Sequence, residues 1–331
     1  MSEETLERVI KSFLATKQPS YAFCWQGGEP AIMGMDFFRK VIDLQRKHSR
    51  KGSYIINTLQ TNATLIDDVF ARHLSDSNFL IGVSLDGPRY IHDYYRKYKS
   101  GRGSHSDVIS GVACLKRNHA EFNILTLVSD ININKGKEVY SYFRDSGFLY
   151  HQYIPCVEFD GNGQPLPFTV SGEAWGDFLC EVYDEWVKYD TRTVSVRLFD
   201  SMICYLVNGF HDNCQMGTNC CQYYVIEYNG DIYPCDFFVD AELKLGNIKK
   251  SSWEQLARSK AYLYFGGQKS GWHEQCENCE YLPFCAGDCL KHRLYGKRNL
   301  HQLSWLCKGL KQFYRHTLPG FSKLANSLSE N

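Results

Sequence analysis

The chain has 331 residues, 44% of them hydrophobic, and balances 37 Lys and Arg against 37 Asp and Glu. A formal net charge of zero gives no pull on nucleic acid or anionic lipid, so neither is expected as a partner. No apolar run is long enough for a membrane span, and the acidic opening Met1-Ser2-Glu3-Glu4 does not read as a signal peptide, so a cytoplasmic location is expected.

In chain order, helix-like and strand-like segments alternate. Glu4 to Leu14 has helical apolar spacing, with Ser2 as its N-cap. Tyr21 to Trp25 reads as a buried strand running into Gly27-Gly28, and Phe37 to Gln45 as a helix. Strands are expected at Tyr54–Leu59, Phe79–Leu85, Phe122–Val128 and Gln152–Val157, with helices at Asp67–Leu74, Val108–Arg117 and Gly136–Phe143. This alternation predicts α/β architecture with parallel strands, as a barrel or an open sheet. The series opens on a helix, so a strand expected before it is missing. In such folds chemistry gathers where strands end, and Gln26-Gly27-Gly28-Glu29, Gln60-Thr61-Asn62, Ser84 and Asp86 stand at those ends.

The character changes at the Gly/Pro-rich stretch 161–167. Ala174–Tyr189 and Val196–Val207 read as helices. Tyr223–Tyr228 and Asp231–Tyr233, joined by Asn229-Gly230, read as a hairpin with a type I′ turn that places Cys220 and Cys235 at one end. Gly246-Asn247-Ile248 and a helix from Trp253 follow.

Nine of the fourteen cysteines lie in the last third: Cys214, Cys220, Cys221, Cys235, Cys276, Cys279, Cys285, Cys289 and Cys307. A chain with enough apolar residues for a core has little need of a disulfide framework, and in a reducing compartment clustered cysteines point to metal or redox work. The pattern Cys276-x2-Cys279-x5-Cys285-x3-Cys289 matches no simple zinc ribbon. Soft thiolates suit both zinc and iron–sulfur clusters, and the spacing favours clusters. His292 would complete a zinc half-site with Cys285 and Cys289, but a solvated histidine on a turn is the preferred reading. Cys24, Cys114, Cys156, Cys180 and Cys204 are scattered in apolar stretches and read as small packing residues.

Gly230-x4-Cys235, with Cys220 before it and the Cys276–Cys289 run and Cys307 after it, resembles the SPASM domain of radical S-adenosylmethionine (SAM) maturases. Trp25-Gln26-Gly27-Gly28-Glu29-Pro30, Leu59-Gln60-Thr61-Asn62, Val83-Ser84-Leu85-Asp86-Gly87-Pro88, His92-Asp93-Tyr94-Tyr95-Arg96 and Tyr233-Pro234-Cys235-Asp236-Phe237 extend the likeness over nearly the whole chain, to the anaerobic sulfatase-maturating enzymes.

The resemblance implies a partial (β/α)6 radical-SAM barrel over 1–165, lacking its first strand. A helical connector over 166–213 and a SPASM domain over 214–331 would follow. It implies SAM held by Gly27, Gly28 and Glu29, with Ser84 and Arg96 contacting it and Gln26 facing SAM or substrate. Two glycines permit close backbone approach, a carboxylate pairs with the methionine ammonium, and a guanidinium suits its carboxylate.

It further implies two auxiliary 4Fe–4S clusters, one on Cys214, Cys220, Cys235 and Cys289 and one on Cys276, Cys279, Cys285 and Cys307. Cys221 stands as an alternative to Cys220. Asp236 matches the proposed general base. The family oxidises a cysteine or serine of an unfolded sulfatase segment to formylglycine. A 5′-deoxyadenosyl radical takes a Cβ hydrogen, a base takes the thiol or hydroxyl proton, and an electron leaves through an auxiliary cluster, with ferredoxin or flavodoxin as an expected redox partner.

One departure stands out: no CxxxCxxC triplet occurs, so the ligands of the SAM-cleaving cluster are absent from this sequence. The missing first strand and the missing triplet read as one N-terminal truncation, and no SAM cleavage is expected. The alternatives are a SPASM maturase of another peptide, or a non-enzymatic iron–sulfur or zinc protein that binds a partner.

Overall fold

The computed structural model describes residues 1–296 and 299–329. Helix α1 (Glu3–Leu14) opens the chain, and Ser2 caps it as expected, its hydroxyl accepting from the Thr5 N–H at 3.2 Å. Strands β1 (Tyr21–Trp25), β2 (Ile55–Thr61), β3 (Phe79–Ser84), β4 (Glu121–Val128), β5 (Tyr150–Pro155) and β6 (Ser195–Val196) form one sheet in sequential order. The pairs β1–β2, β2–β3 and β5–β6 are parallel. Between strands run α2 (Gly34–His48), α3 (Asp68–Asp76), α4 (Arg89–Tyr95), α5 (His105–Arg117), α6 (Gly136–Asp145) and α7 (Gly172–Tyr189), so the α/β reading holds.

The sixth strand was not expected: two residues show no alternation, and Val196, read as the start of a helix, instead pairs with His151. Helix α8 (Arg197–Asn208) follows it, then β7 (Val225–Ile226), β8 (Asp231–Tyr233), β9 (Gly246–Asn247), α9 (Trp253–Ala257), α10 (Lys260–Gly267), α11 (Glu274–Glu277), α12 (Leu282–Cys285) and α13 (Cys307–Ser329).

The chain divides into two compact units that interleave in sequence. The first comprises Met1–Leu85, Arg96–Ile124 and Tyr223–Leu263, and the second holds the remainder. In the first, Leu6, Ile10 and Leu14 of α1 pack against Tyr21, Phe23, Val41 and Leu44. Val9 turns instead to Ile232, Ile248 and Leu256 of the hairpin region, and the Trp253 indole donates to Ser12 Oγ at 3.0 Å. A buried amide pair orients the first strand: Gln45 and Asn57 exchange hydrogen bonds of 2.9 and 2.8 Å, and Asn57 Oδ1 also accepts from the Trp25 indole at 3.1 Å.

The hairpin turn is not type I′. That turn needs positive φ at both central residues, whereas within Tyr228–Gly230 only Gly230, at φ +90°, has it. The N–H of Gly230 donates to the Glu227 carbonyl at 2.8 Å, so a turn over Tyr228-Asn229 is closed by a left-handed glycine that allows a bulge.

In the second unit α7 packs on α13 around Trp186, Phe199, Phe313 and Phe321. The two helices touch through glycines. A Cβ added to Gly309 would lie 1.7 Å from the Gly172 carbonyl oxygen, and one on Gly176 2.6 Å from Gly309 Cα. Among the described residues no helix is long and apolar enough to cross a membrane.

Candidate active site and cluster-binding cysteines

In the first unit, β1, β2 and β3 are parallel neighbours, so the loops after Trp25, Thr61 and Ser84 leave from one edge of the sheet. The loop after β1 carries Gln26, Gly27 and Gly28, all exposed; the glycines have φ of +98° and +57°, which side-chain-bearing residues avoid. Glu29 follows, and its carboxylate already has work. Oε1 accepts from the Thr61 hydroxyl at 2.6 Å and the Ala31 N–H at 2.9 Å, and Oε2 from the Asn62 N–H at 2.7 Å. Glu29 therefore ties the Gly-Gly loop to the end of β2, a positioning role that the sequence did not reveal. Two carboxylate oxygens offer about four acceptor directions, so Glu29 retains capacity for one further donor. Ser84 ends β3 half-buried. Arg96 is also half-buried, and its carbonyl accepts from the Ser104 N–H at 3.1 Å and hydroxyl at 3.0 Å.

Asp236, directly after Cys235, belongs to the same unit and is exposed. Its Oδ1 accepts from the Tyr223 hydroxyl at 2.7 Å and its Oδ2 from the Gln26 amide at 3.2 Å. Gln26 and Asp236, separately nominated from sequence, are thus brought together. Tyr223 was missed; its place two residues before β7, at the mouth of the hairpin that delivers Cys235, was the available signal. Burial, followed by the nearby Cys235 and Asp236, raises the Tyr223 pKa, so the phenol stays a donor. The Tyr223 carbonyl in turn accepts from the Tyr262 hydroxyl at 3.0 Å. Cys24 departs from the packing role expected of it: it is exposed on β1, with its thiol 3.8 Å from Gln26 Oε1. Cys156 is buried and Cys180 packs against the core, as expected.

The second unit holds seven of the eight expected ligands. Cys276, Cys279, Cys285 and Cys307 line one small apolar pocket, shared with Tyr281, Leu282, Leu310 and Tyr314. Cys276 lies in α11, Cys285 ends α12, and Cys307 begins α13. Burial pushes the Cys285 thiol up to about 12 and raises Cys276 and Cys307 as well. A metal taken up here must displace protons from neutral thiols. A soft four-sulfur donor set around a partly open apolar pocket fits an iron–sulfur cluster.

Cys214 and Cys220 are close enough to act on each other electrostatically, and Lys269 acts on both Cys220 and Cys289. Cys235, the fourth ligand expected for that set, lies in the first unit. Cys221 faces elsewhere: a Cβ on Gly266 would fall 2.1 Å from its sulfur, so it lies against the α10 backbone. His292 is not the solvated residue expected. It is buried, with Nδ1 2.8 Å from Asp288 Oδ2. The residues Ala286, Gly287 and Asp288 are all left-handed, at φ of +46°, +73° and +63°, and the tight turn they make between two cysteines folds His292 inward.

A family model described as SPASM, an iron-sulfur cluster-binding domain, matches residues 214–280. The chain is 36% identical over 337 residues to a serine-type anaerobic sulfatase-maturating enzyme of Bacteroides thetaiotaomicron, spanning 96% of this chain and 81% of that one. It is 32% identical over 332 residues to a cysteine-type anaerobic sulfatase-maturating enzyme of Clostridium perfringens, spanning 99% and 90%. A solved structure described as native anSMEcpe with bound AdoMet and Kp18Cys peptide matches with a TM-score of 0.93 and 33% identity, over 99% of this chain and 91% of that one. With identity at this level along almost its whole length, an iron–sulfur domain and a shared fold, the chain belongs to the anaerobic sulfatase-maturating enzymes, a family of radical SAM enzymes.

Proposed function

We propose that this chain serves the oxidation of a cysteine or serine in an unfolded sulfatase segment to formylglycine, in the cytoplasm before export. SAM with its own cluster would supply the hydrogen-abstracting radical, and two auxiliary 4Fe–4S clusters the electron outlet. The observation that carries this reading is the carboxylate of Asp236, exposed beside Cys235 and held by Tyr223 and Gln26.

Asp236 is the proton acceptor for the substrate thiol or hydroxyl, aimed by its two donors. Gly27, Gly28, Ser84 and Arg96 receive SAM, with Glu29 using its remaining acceptor direction for the ammonium. Cys276, Cys279, Cys285 and Cys307 hold one auxiliary cluster, and Cys214, Cys220, Cys235 and Cys289 the other. The placement of Cys221 against Gly266 supports Cys220 as the ligand. Ferredoxin or flavodoxin is the proposed redox partner. The two relatives above include both a serine-type and a cysteine-type enzyme, so the substrate residue is to be measured with both peptides.

The 331 residues contain no CxxxCxxC triplet, so the chain as given is expected to bind SAM and peptide without cleaving SAM. Incubation with dithionite, SAM and a sulfatase peptide tests this, and 5′-deoxyadenosine formation refutes it. Joined to a segment that bears the triplet, the chain is expected to convert the peptide. Failure there, with all clusters loaded, refutes the maturase reading.

A further inference from the structure

Two fully buried cations lie among the cysteines of the second unit. Lys269 is 0% exposed and Arg293 1%. Among the described residues neither makes an ion pair. The Lys269 ammonium donates to the carbonyls of Gln215, Ala286 and Asp288, at 3.0, 3.2 and 2.5 Å. The Arg293 guanidinium likewise donates to carbonyls, including those of Gly287, Lys269 and Ala286, at 2.9, 3.1 and 3.2 Å.

Three acceptors around one nitrogen require three N–H donors, which only the protonated amine has. Burial works against that charge, but the three carbonyls hold it in place. The acid at hand is Asp288, 1% exposed, whose oxygens are taken by Gln215, His292 and Ser304. Two buried cations against one carboxylate leave positive charge that a protein interior tolerates poorly without a further anion.

Cysteines deprotonated by a bound cluster would supply that anion. The carbonyls that hold the Lys269 ammonium belong to Gln215, Ala286 and Asp288, sequence neighbours of Cys214 and Cys289 in one ligand set and of Cys285 in the other. A cubane on four thiolates carries net negative charge, which grows on reduction, and the charge around it is one of the determinants of its potential. We propose that Lys269 is a positioning residue that stands between the two cluster sites as a fixed positive charge and raises the reduction potential of both. This inference rests on the assignment of the two cluster sites made above.

The test is redox titration of the anaerobically reconstituted full chain, followed by electron paramagnetic resonance, with iron counted in every sample. Lys269→Gln is expected to shift both midpoint potentials to more negative values at unchanged iron content, and Lys269→Arg to restore them. Asp288→Asn, which removes the opposing charge, is expected to shift them the other way. A merely structural role would not give shifts of opposite sign.

Full iron with unshifted potentials in Lys269→Gln overturns the inference. Where Lys269→Gln fails to fold, Asp288→Asn decides: a shift to more positive values supports the inference, and any other result overturns it. Loss of iron from both variants assigns the pair to folding alone and also overturns it. A wild-type chain that binds no iron refutes the cluster sites instead, so the two failures are distinct.

Discussion

Tyr223 donates to Asp236 across the hairpin at 2.7 Å, and its own raised pKa keeps it the donor in that pair. The carboxylate is thereby aimed by a fixed donor. In the chain joined to a CxxxCxxC segment, Asp236→Asn should lower formylglycine formation by roughly 10²- to 10⁴-fold, the range of a lost general base. Tyr223→Phe removes one hydrogen bond to a charged group, worth about 1.5–3 kcal/mol, and should cost about tenfold or more. Mass spectrometry of the peptide product checks both, and SAM binding by calorimetry should be unchanged in each.

The cysteine assignments predict iron content. The wild-type chain should hold about eight iron atoms after anaerobic reconstitution, and Cys276→Ser or Cys307→Ser about half of that. Cys220→Ser should lose iron, whereas Cys221→Ser, with its side chain against Gly266, should not. Two zinc ions in place of iron would reject both sites.

Glu29→Gln keeps the size of the side chain but offers one acceptor oxygen where three protein donors converge on two. At least one donor is left poorly satisfied, at a cost of about 1–3 kcal/mol in stability. Urea denaturation should show this as a lower midpoint with an unchanged slope. SAM affinity should fall as well, because the Gly27-Gly28 loop loses its tie to β2.

His151 carries a pH dependence. It is buried, with Nε2 2.7 Å from the Phe148 carbonyl and Nδ1 3.1 Å from the Tyr153 hydroxyl. These partners suit the neutral ring, and burial lowers its pKa from 6.5 to about 4. A depressed folded-state pKa means the unfolded chain binds the proton first. The stability is therefore complete above the unfolded value and is lost as pH falls through the folded one. Between about pH 7 and pH 5 this residue should account for at most about 2 kcal/mol of lost stability. Urea midpoints at both pH values, compared between wild type and His151→Gln, should show the variant with the smaller change.

Legibility from sequence followed the strength of local pattern. The parallel α/β series was readable because Tyr21–Trp25 and Phe79–Ser84 are dense apolar runs flanked by helical spacing. Strand β6 was not, since two residues carry no period. Helix α13 escaped because Pro319 and Gly320 sit inside it; Gly320 lies under the Tyr183 hydroxyl, and tertiary packing outweighs propensity there. Gln26 and Asp236 were nominated one by one from motifs, but Tyr223 and the ties of Glu29 depend on groups distant in sequence. His292 was misjudged because three successive left-handed residues are hard to foresee when two of them are Ala286 and Asp288.

The glycine contact between α7 and α13 bears on how the molecule is assembled. Cys307 stands two residues before Gly309, and the stretch just before the cysteine is pinned by Leu306 in the core and by the Trp305 indole on the Val170 carbonyl, 2.7 Å away. A thiol needed at the cavity wall is thus delivered only when the C-terminal helix has seated. On the proposed cluster assignment, the tail would dock first and metal would then seal it. Protease resistance of residues 307–329 should rise with iron uptake, and Gly309→Ala should lower both together.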